Sequence, residues 1–143
     1  MNRFVIDASV AAKWFLPRTG EPFAGNALEL LAQYAIDEIQ ILVPDLFWAE
    51  LGNLLWNAVR RRRCARAFAE GAIATARGYK LPTVPTEGLV EQAFAIAALF
   101  DQTVYDCLYA VLAVQTNARL ITADERLARA LAAHMPVKWL GAI

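Results

Sequence analysis

Four acids stand where an apolar segment ends or where an apolar helix face is interrupted. Asp7 follows Phe4-Val5-Ile6 in "FVIDASV", and Asp124 follows Leu120-Ile121 in "RLITADERL". Glu50 breaks the apolar surface of "PDLFWAELGNLLW", where Leu46, Trp48, Leu51, Leu54 and Leu55 can face a core and Asn53 lies one turn later on the side of Glu50. Asp106 falls in the first turn of the apolar helix "TVYDCLYAVLA". Each alone has an ordinary explanation, because helix N-termini favour Asp and a half-exposed helix tolerates Glu. Together they suggest convergence on one sheet edge. At about 6 Å and an effective dielectric near 20, each like-charged pair costs roughly 3 kcal/mol. Protonation relieves that cost, and so does a bound cation. Oxygen donors without His or Cys suit Mg²⁺ or Mn²⁺ rather than zinc or copper. Such an ion activates water and stabilises charge on a phosphate, which points to phosphodiester hydrolysis.

The remaining composition excludes the main competing chemistries. There is one histidine, His134, and there are two cysteines, Cys64 and Cys107, each placed in a helical pattern and neither in a C-x-x-C pair. The cysteines read as small buried hydrophobes in a reducing compartment. No G-x-S-x-G, G-x-x-x-x-G-K or G-x-G-x-x-G occurs, so a Ser-His relay, a P-loop and a dinucleotide site are not expected. The 143 residues carry no formal net charge, with 58% hydrophobic and 20% charged residues. That balance describes one globular domain, residues 1–143, with no bulk attraction to nucleic acid. No apolar run is long enough to span a bilayer, and Asp7 interrupts any signal-like start, so a cytoplasmic location without a membrane partner is expected. Charge is concentrated once, in Arg60, Arg61, Arg62, Arg63 and Arg66. These arginines form either a solvated helix end or a phosphate-gripping patch.

Short apolar runs at 3–6, 39–43, 118–122 and 136–140 read as strands, with a weaker one at 81–85 around Pro82 and Pro85. Helical periodicity covers 9–16, 23–36, 45–61, 65–78, 87–100, 104–116 and 124–133. Pro44-Asp45 and Thr86-Glu87 look like helix starts. Alternation of strands and helices implies an α/β fold: a three-layer α/β/α sandwich around a mainly parallel sheet. Ligands of such folds gather at the carboxyl ends of the strands, where Asp7 and Asp124 would lie.

In order and spacing, "FVIDASV", "PDLFWAELGN", "TVYDCLYAVLA" and "RLITADERL" resemble the four motifs of the PIN domain. The chain as a whole is similar to VapC ribonuclease toxins of toxin-antitoxin pairs. The resemblance implies an endoribonuclease dependent on Mg²⁺ or Mn²⁺, with Asp7, Glu50, Asp106 and Asp124 as catalytic and metal-binding acids. Ser9, Asn53 and Thr122 match positions that orient the acids, the ion or its waters. Water attack would leave a 5′-phosphate and a 3′-hydroxyl. The resemblance also implies an RNA substrate, a homodimer and a cognate antitoxin; the arginine cluster, which follows the helix carrying Glu50, would then contact either the RNA or the antitoxin. Trp14, Phe15, Leu16, Phe47, Trp48 and Trp56 read first as core, with some expected to cover a partner surface. Two alternatives remain. A haloacid-dehalogenase-like phosphohydrolase would need a second Asp where Ser9 stands, and a non-catalytic α/β interaction module would use the acids only as helix caps.

Overall fold

The computed structural model describes all 143 residues. Five parallel strands form its sheet in the order β3-β2-β1-β4-β5. They are β1 (Asn2–Ile6), β2 (Ile39–Pro44), β3 (Thr83–Val84), β4 (Arg119–Thr122) and β5 (Val137–Trp139). The helices are α1 (Ala8–Ala12), α2 (Ala24–Ala35), α3 (Leu46–Arg60), α4 (Arg66–Gly78), α5 (Val90–Phe100), α6 (Val104–Gln115) and α7 (Glu125–Leu131). The sheet is parallel throughout, and its helices complete the expected three-layer architecture.

Strand β1 sits at the centre, and Val5 and Ile6, which point to opposite faces of the sheet, are both wholly buried, as in a parallel strand covered on both faces. It pairs with β2 at Phe4–Ile41 and with β4 at Ile6–Ile121. From β1 the chain steps outward to β2 and β3, then reverses to β4 and β5. Right-handed crossovers therefore place α1 to α4 on one face and α5 to α7 on the other. The reversal leaves a crevice beyond the ends of β1 and β4, the usual ligand position in open α/β sheets.

Helix α6 packs on β1, β2 and β4, and its residues Cys107 to Ala113 are all buried. An apolar helix between a sheet and a covering helix, here α5, has no solvated face to mark in its sequence. No single helix is long and apolar enough to cross a membrane, and the apolar pair α5–α6 bends by 115°. In α3 the buried stripe is Phe47, Leu51, Leu55 and Ala58. Leu46, Trp48 and Leu54, expected to face the core, are only partly buried.

Several boundaries differ from expectation for local reasons. The first helix stops at Ala12, and the chain then tightens into turns in which Trp14 N–H donates to Ala11 O. Residues Glu87–Leu89 form a 3₁₀ turn ahead of α5, and the chain after β5 forms another at Leu140–Ala142. Cys64 lies in the turn between α3 and α4 and is not helical. Trp14, Leu16 and Phe47 belong to the core; Phe15 and Trp48 are partly buried, while Trp56 is half exposed.

Candidate active site

Asp7 ends β1 and caps α1. Its extended backbone (φ −85°, ψ 167°) lets Oδ1 accept the Val10 N–H at 3.3 Å, and the Ser9 hydroxyl also donates to Oδ1. The same Ser9 oxygen accepts the Ala123 N–H at 3.4 Å, while Asp7 N–H donates to Ile121 O. The loops after β1 and β4 are thereby joined. Thr122, fully buried at the end of β4, stands beside Asp7 and accepts the Asp124 N–H at 3.0 Å. Asp124 in turn caps α7 by accepting the Leu127 N–H at 3.2 Å. Both aspartates are therefore helix caps, as their ordinary explanation requires, yet both also line a shared pocket.

The two helical acids arrive from opposite layers. Asp106 lies in the first turn of α6, where the Thr103 hydroxyl oxygen accepts its N–H at 3.0 Å. Glu50 projects from α3 and accepts the Tyr109 hydroxyl proton at 2.5 Å. A pocket of about 370 Å³ is lined by Asp7, Glu50, Asp106 and Asp124, together with Ser9, Asn53 and Tyr109. Asn53 is exposed at its rim, and Thr122 lies beneath it.

Like charge and burial dominate the electrostatics. Burial pushes the Asp7 carboxyl above its ordinary value, with Asp106 adding repulsion against the Ser9 and Thr122 hydroxyls. Burial also raises Glu50, and Asp7 and Asp106 reinforce the shift, while Tyr109 opposes it. Asp106 is raised by burial and by Asp124, partly offset by Thr103 and Arg126. Arg126 Nη2 lies 3.9 Å from Asp124 Oδ2, a loose and exposed contact that leaves the pocket strongly acidic. Burial and the neighbouring Glu50 hold the Tyr109 hydroxyl far above its ordinary range, so it remains a proton donor. Burial and Asp106 push the Cys107 thiol up to about 11, consistent with an inert core cysteine.

As they stand, no three of the acids draw close enough to grip one ion directly. The donor set nevertheless fits a hydrated hard cation: Mg²⁺ keeps several of its waters and needs only one or two direct carboxylates, so the wider ring can be met through water.

Tyr109 is the residue that sequence reasoning missed. A tyrosine among seven successive buried helix residues reads as core, but its i+3 spacing from Asp106 placed it on the acid's side of α6. The arginine run does not form one patch. Arg60 donates to Asn57 and lies over the Trp56 ring, Arg66 pairs with Glu70 at 2.6 Å, and Arg63 turns back to Glu21 at 2.8 Å. Arg61 and Arg62 are exposed.

Comparison with known proteins agrees with this fold. Ribonuclease VapC9 of Mycobacterium tuberculosis is 31% identical over 133 residues, which cover 93% of this chain and 94% of that protein. The crystal structure of PAE2754 from Pyrobaculum aerophilum aligns with a TM-score of 0.73 at 18% identity, over 99% of this chain and 85% of the other. VapBC2 from Rickettsia felis, solved bound to a DNA fragment from their promoter, aligns with a TM-score of 0.60 at 14% identity, over 96% and 98%. The family model described as PIN domain matches residues 4–132, and the chain belongs to the PIN domain family.

Proposed function

We propose that this protein is an endoribonuclease, the toxin of a toxin-antitoxin pair, working with Mg²⁺ or Mn²⁺ at the four-acid pocket. The observation that carries the reading is end-to-end similarity to a named VapC ribonuclease in a chain whose acids line one pocket at the sheet's switch point. When bound, the ion supplies an activated water and neutralises charge on the scissile phosphate. Asp7, Asp106 and Asp124 would hold it directly or through water. Ser9 and Thr122 fix the Asp7 carboxylate, and Thr103 fixes the first turn that carries Asp106. Glu50, oriented by Tyr109, completes the shell or takes the proton of the attacking water. Asn53 orients solvent at the rim. The phosphohydrolase alternative loses ground because Ser9 donates a proton to Asp7 in place of a second carboxylate.

The partners are proposed in the same sense. The α5–α6 layer exposes Val90, Phe94, Leu99 and Tyr105, while α3–α4 exposes Trp56, Phe68 and Ile73. Two apolar surfaces match two expected protein partners, a second copy and an antitoxin, in a cytoplasmic setting. A monomeric mass by light scattering at micromolar concentration would remove the homodimer.

Cleavage of a structured-RNA mixture by wild type and Asp7→Asn, each with Mg²⁺, Mn²⁺ or EDTA, tests the activity. Cuts bearing 5′-phosphate ends, absent from both the variant and the EDTA lanes, are expected. Ends carrying a 2′,3′-cyclic phosphate would mean that the ribose hydroxyl attacks, and would overturn the mechanism. Mn²⁺ should also raise the melting temperature of wild type, by about 2.7 kcal/mol of stability at a hundredfold excess over its Kd. A flat response would return the acids to plain helix caps.

A further inference from the structure

On the other side of Ser9 and Leu54 from the acid pocket lies a second cavity of about 220 Å³. Its charge is reversed. Lys13 reaches it from the turn after α1, Glu21 from the loop before α2, and Arg61 and Arg63 from the end of α3. Glu21 is saturated: Oε2 pairs with Lys13 Nζ at 3.0 Å and Oε1 with Arg63 Nη1 at 2.8 Å. Lys13 and Glu21 are each about nine-tenths buried at the side chain. Three cations therefore face one carboxylate.

The end of α3 is shaped to put them there. Arg63 N–H donates to Ala58 O at 2.8 Å and Arg62 N–H to Val59 O at 3.0 Å, with Arg62 left-handed at φ 58°. This is a Schellman turn with arginine in the position glycine usually takes. It stops the helix and folds Arg63 back onto Glu21, while Arg61 lines the cavity from its exposed side. Arg61 is exposed and makes no ion pair. Arg63 Nη2 is buried without a hydrogen-bond partner, an unsatisfied donor on a charged group. Lys13 and Arg63 share the one charge of Glu21, so a net positive charge and the Arg63 Nη2 donor are left for a further anion.

We propose that this cavity seats a backbone phosphate adjoining the scissile one, gripped by Arg61 and Arg63, with Lys13 and Glu21 holding Arg63 in place. The inference rests on the endoribonuclease reading. An RNA strand entering the acid pocket brings its phosphates into a field of their own sign, and a basic cavity across a shared wall offsets that repulsion. The strand carries a phosphate at every linkage, so a ligand already in the first pocket delivers the next anion covalently. Arginine offers paired N–H groups that match phosphate oxygens.

The test is binding of a fluorescein-labelled, mixed-sequence single-stranded RNA of about 12 nucleotides, followed by anisotropy in EDTA across a salt series. Arg61→Gln should weaken binding several-fold at low salt and lower the slope of log affinity against log salt by about 0.7, and the Arg61→Gln/Arg63→Gln pair by about 1.4. Arg61→Gln should melt with wild type, so it reads the proposal even where the double variant does not fold. Asp7→Asn should bind this RNA at least as well as wild type. Unchanged slopes in both arginine variants, with RNA binding intact, would overturn the subsite and leave the nuclease reading standing. Unchanged slopes with lost binding of a labelled poly-glutamate peptide would reassign the cavity to an acidic protein segment. Wild type that neither binds RNA salt-dependently nor cuts it with Mg²⁺ would overturn the nuclease reading and the subsite with it.

Discussion

The two cavities that share Ser9 and Leu54 handle charge in opposite ways. In the acid pocket four carboxylates face one another, opposed only by hydroxyls, backbone N–H groups and one loose arginine contact. In the basic cavity a carboxylate is set between two cations at hydrogen-bonding distance. The second arrangement is neutralised within the chain as far as one carboxylate allows. The first is left for something outside the chain to neutralise. The lesson is that charge left unrelieved, the acids of the first cavity and the surplus cation of the second, marks where a ligand would sit, whereas the paired Lys13 and Glu21 form a strut.

Removing one negative charge from each cavity should therefore move stability in opposite directions. Glu21→Gln strands Lys13 and Arg63, and should cost about 2–3 kcal/mol, less than a fully buried pair because Arg63 is about a third exposed. Thermal melts should show a fall of roughly 5–10 °C; an unchanged melt would mean the triad is no strut. Tyr109→Phe keeps the ring volume but deletes the donor to Glu50. Single-turnover cleavage should drop roughly tenfold with the fold preserved, whereas undiminished cleavage would mean Glu50 needs no orienting.

Smaller effects sharpen the contrast. Metal-free Asp7→Asn keeps the cap to Val10 and removes a buried charge, so its stability should rise by up to about 1 kcal/mol. The sign has a pH signature. Because the Asp7 carboxyl titrates above its ordinary value in the fold, its protonated form favours folding. The associated stability is present in full below the unfolded value and is lost as pH rises through the folded one. The variant's advantage over wild type should thus be largest at neutral pH and shrink on acidification; an advantage constant with pH would assign it to packing. Arg62→Gly, which relieves the left-handed arginine, should stabilise by about 0.5–1 kcal/mol without changing cleavage.

Much of the sheet was legible because its strands are short apolar runs, and the ends of β1 and β4 are marked by the acids that follow them. Strand β3 was faint: Pro82 and Pro85 leave only Thr83 and Val84 to pair, and proline removes a ladder donor. The acids were legible as breaks in apolar pattern. Tyr109 was not, since it breaks no pattern. The Arg63–Glu21 pair could not be foreseen, because its partners lie in separate segments that only the Schellman turn brings together. The arginine run looked uniform in sequence, and the structure gives its members separate partners because a helix end fans out consecutive side chains.

Strand β1 lies between β2 and β4, so the edge that carries the acids is complete only when the strand before Asp7 pairs with the strand before Asp124. Asp7 and Asp124 are brought together by the Ile6–Ile121 register and the Ser9–Ala123 link. Contacts so distant in sequence form late in folding. A ribosome that has made the first hundred residues holds a chain with Asp7 and Glu50 but neither Asp106 nor Asp124. The proposed four-acid pocket would therefore assemble only after the segment carrying Asp106 and Asp124 has left the ribosome, so a shorter nascent chain holds an incomplete site.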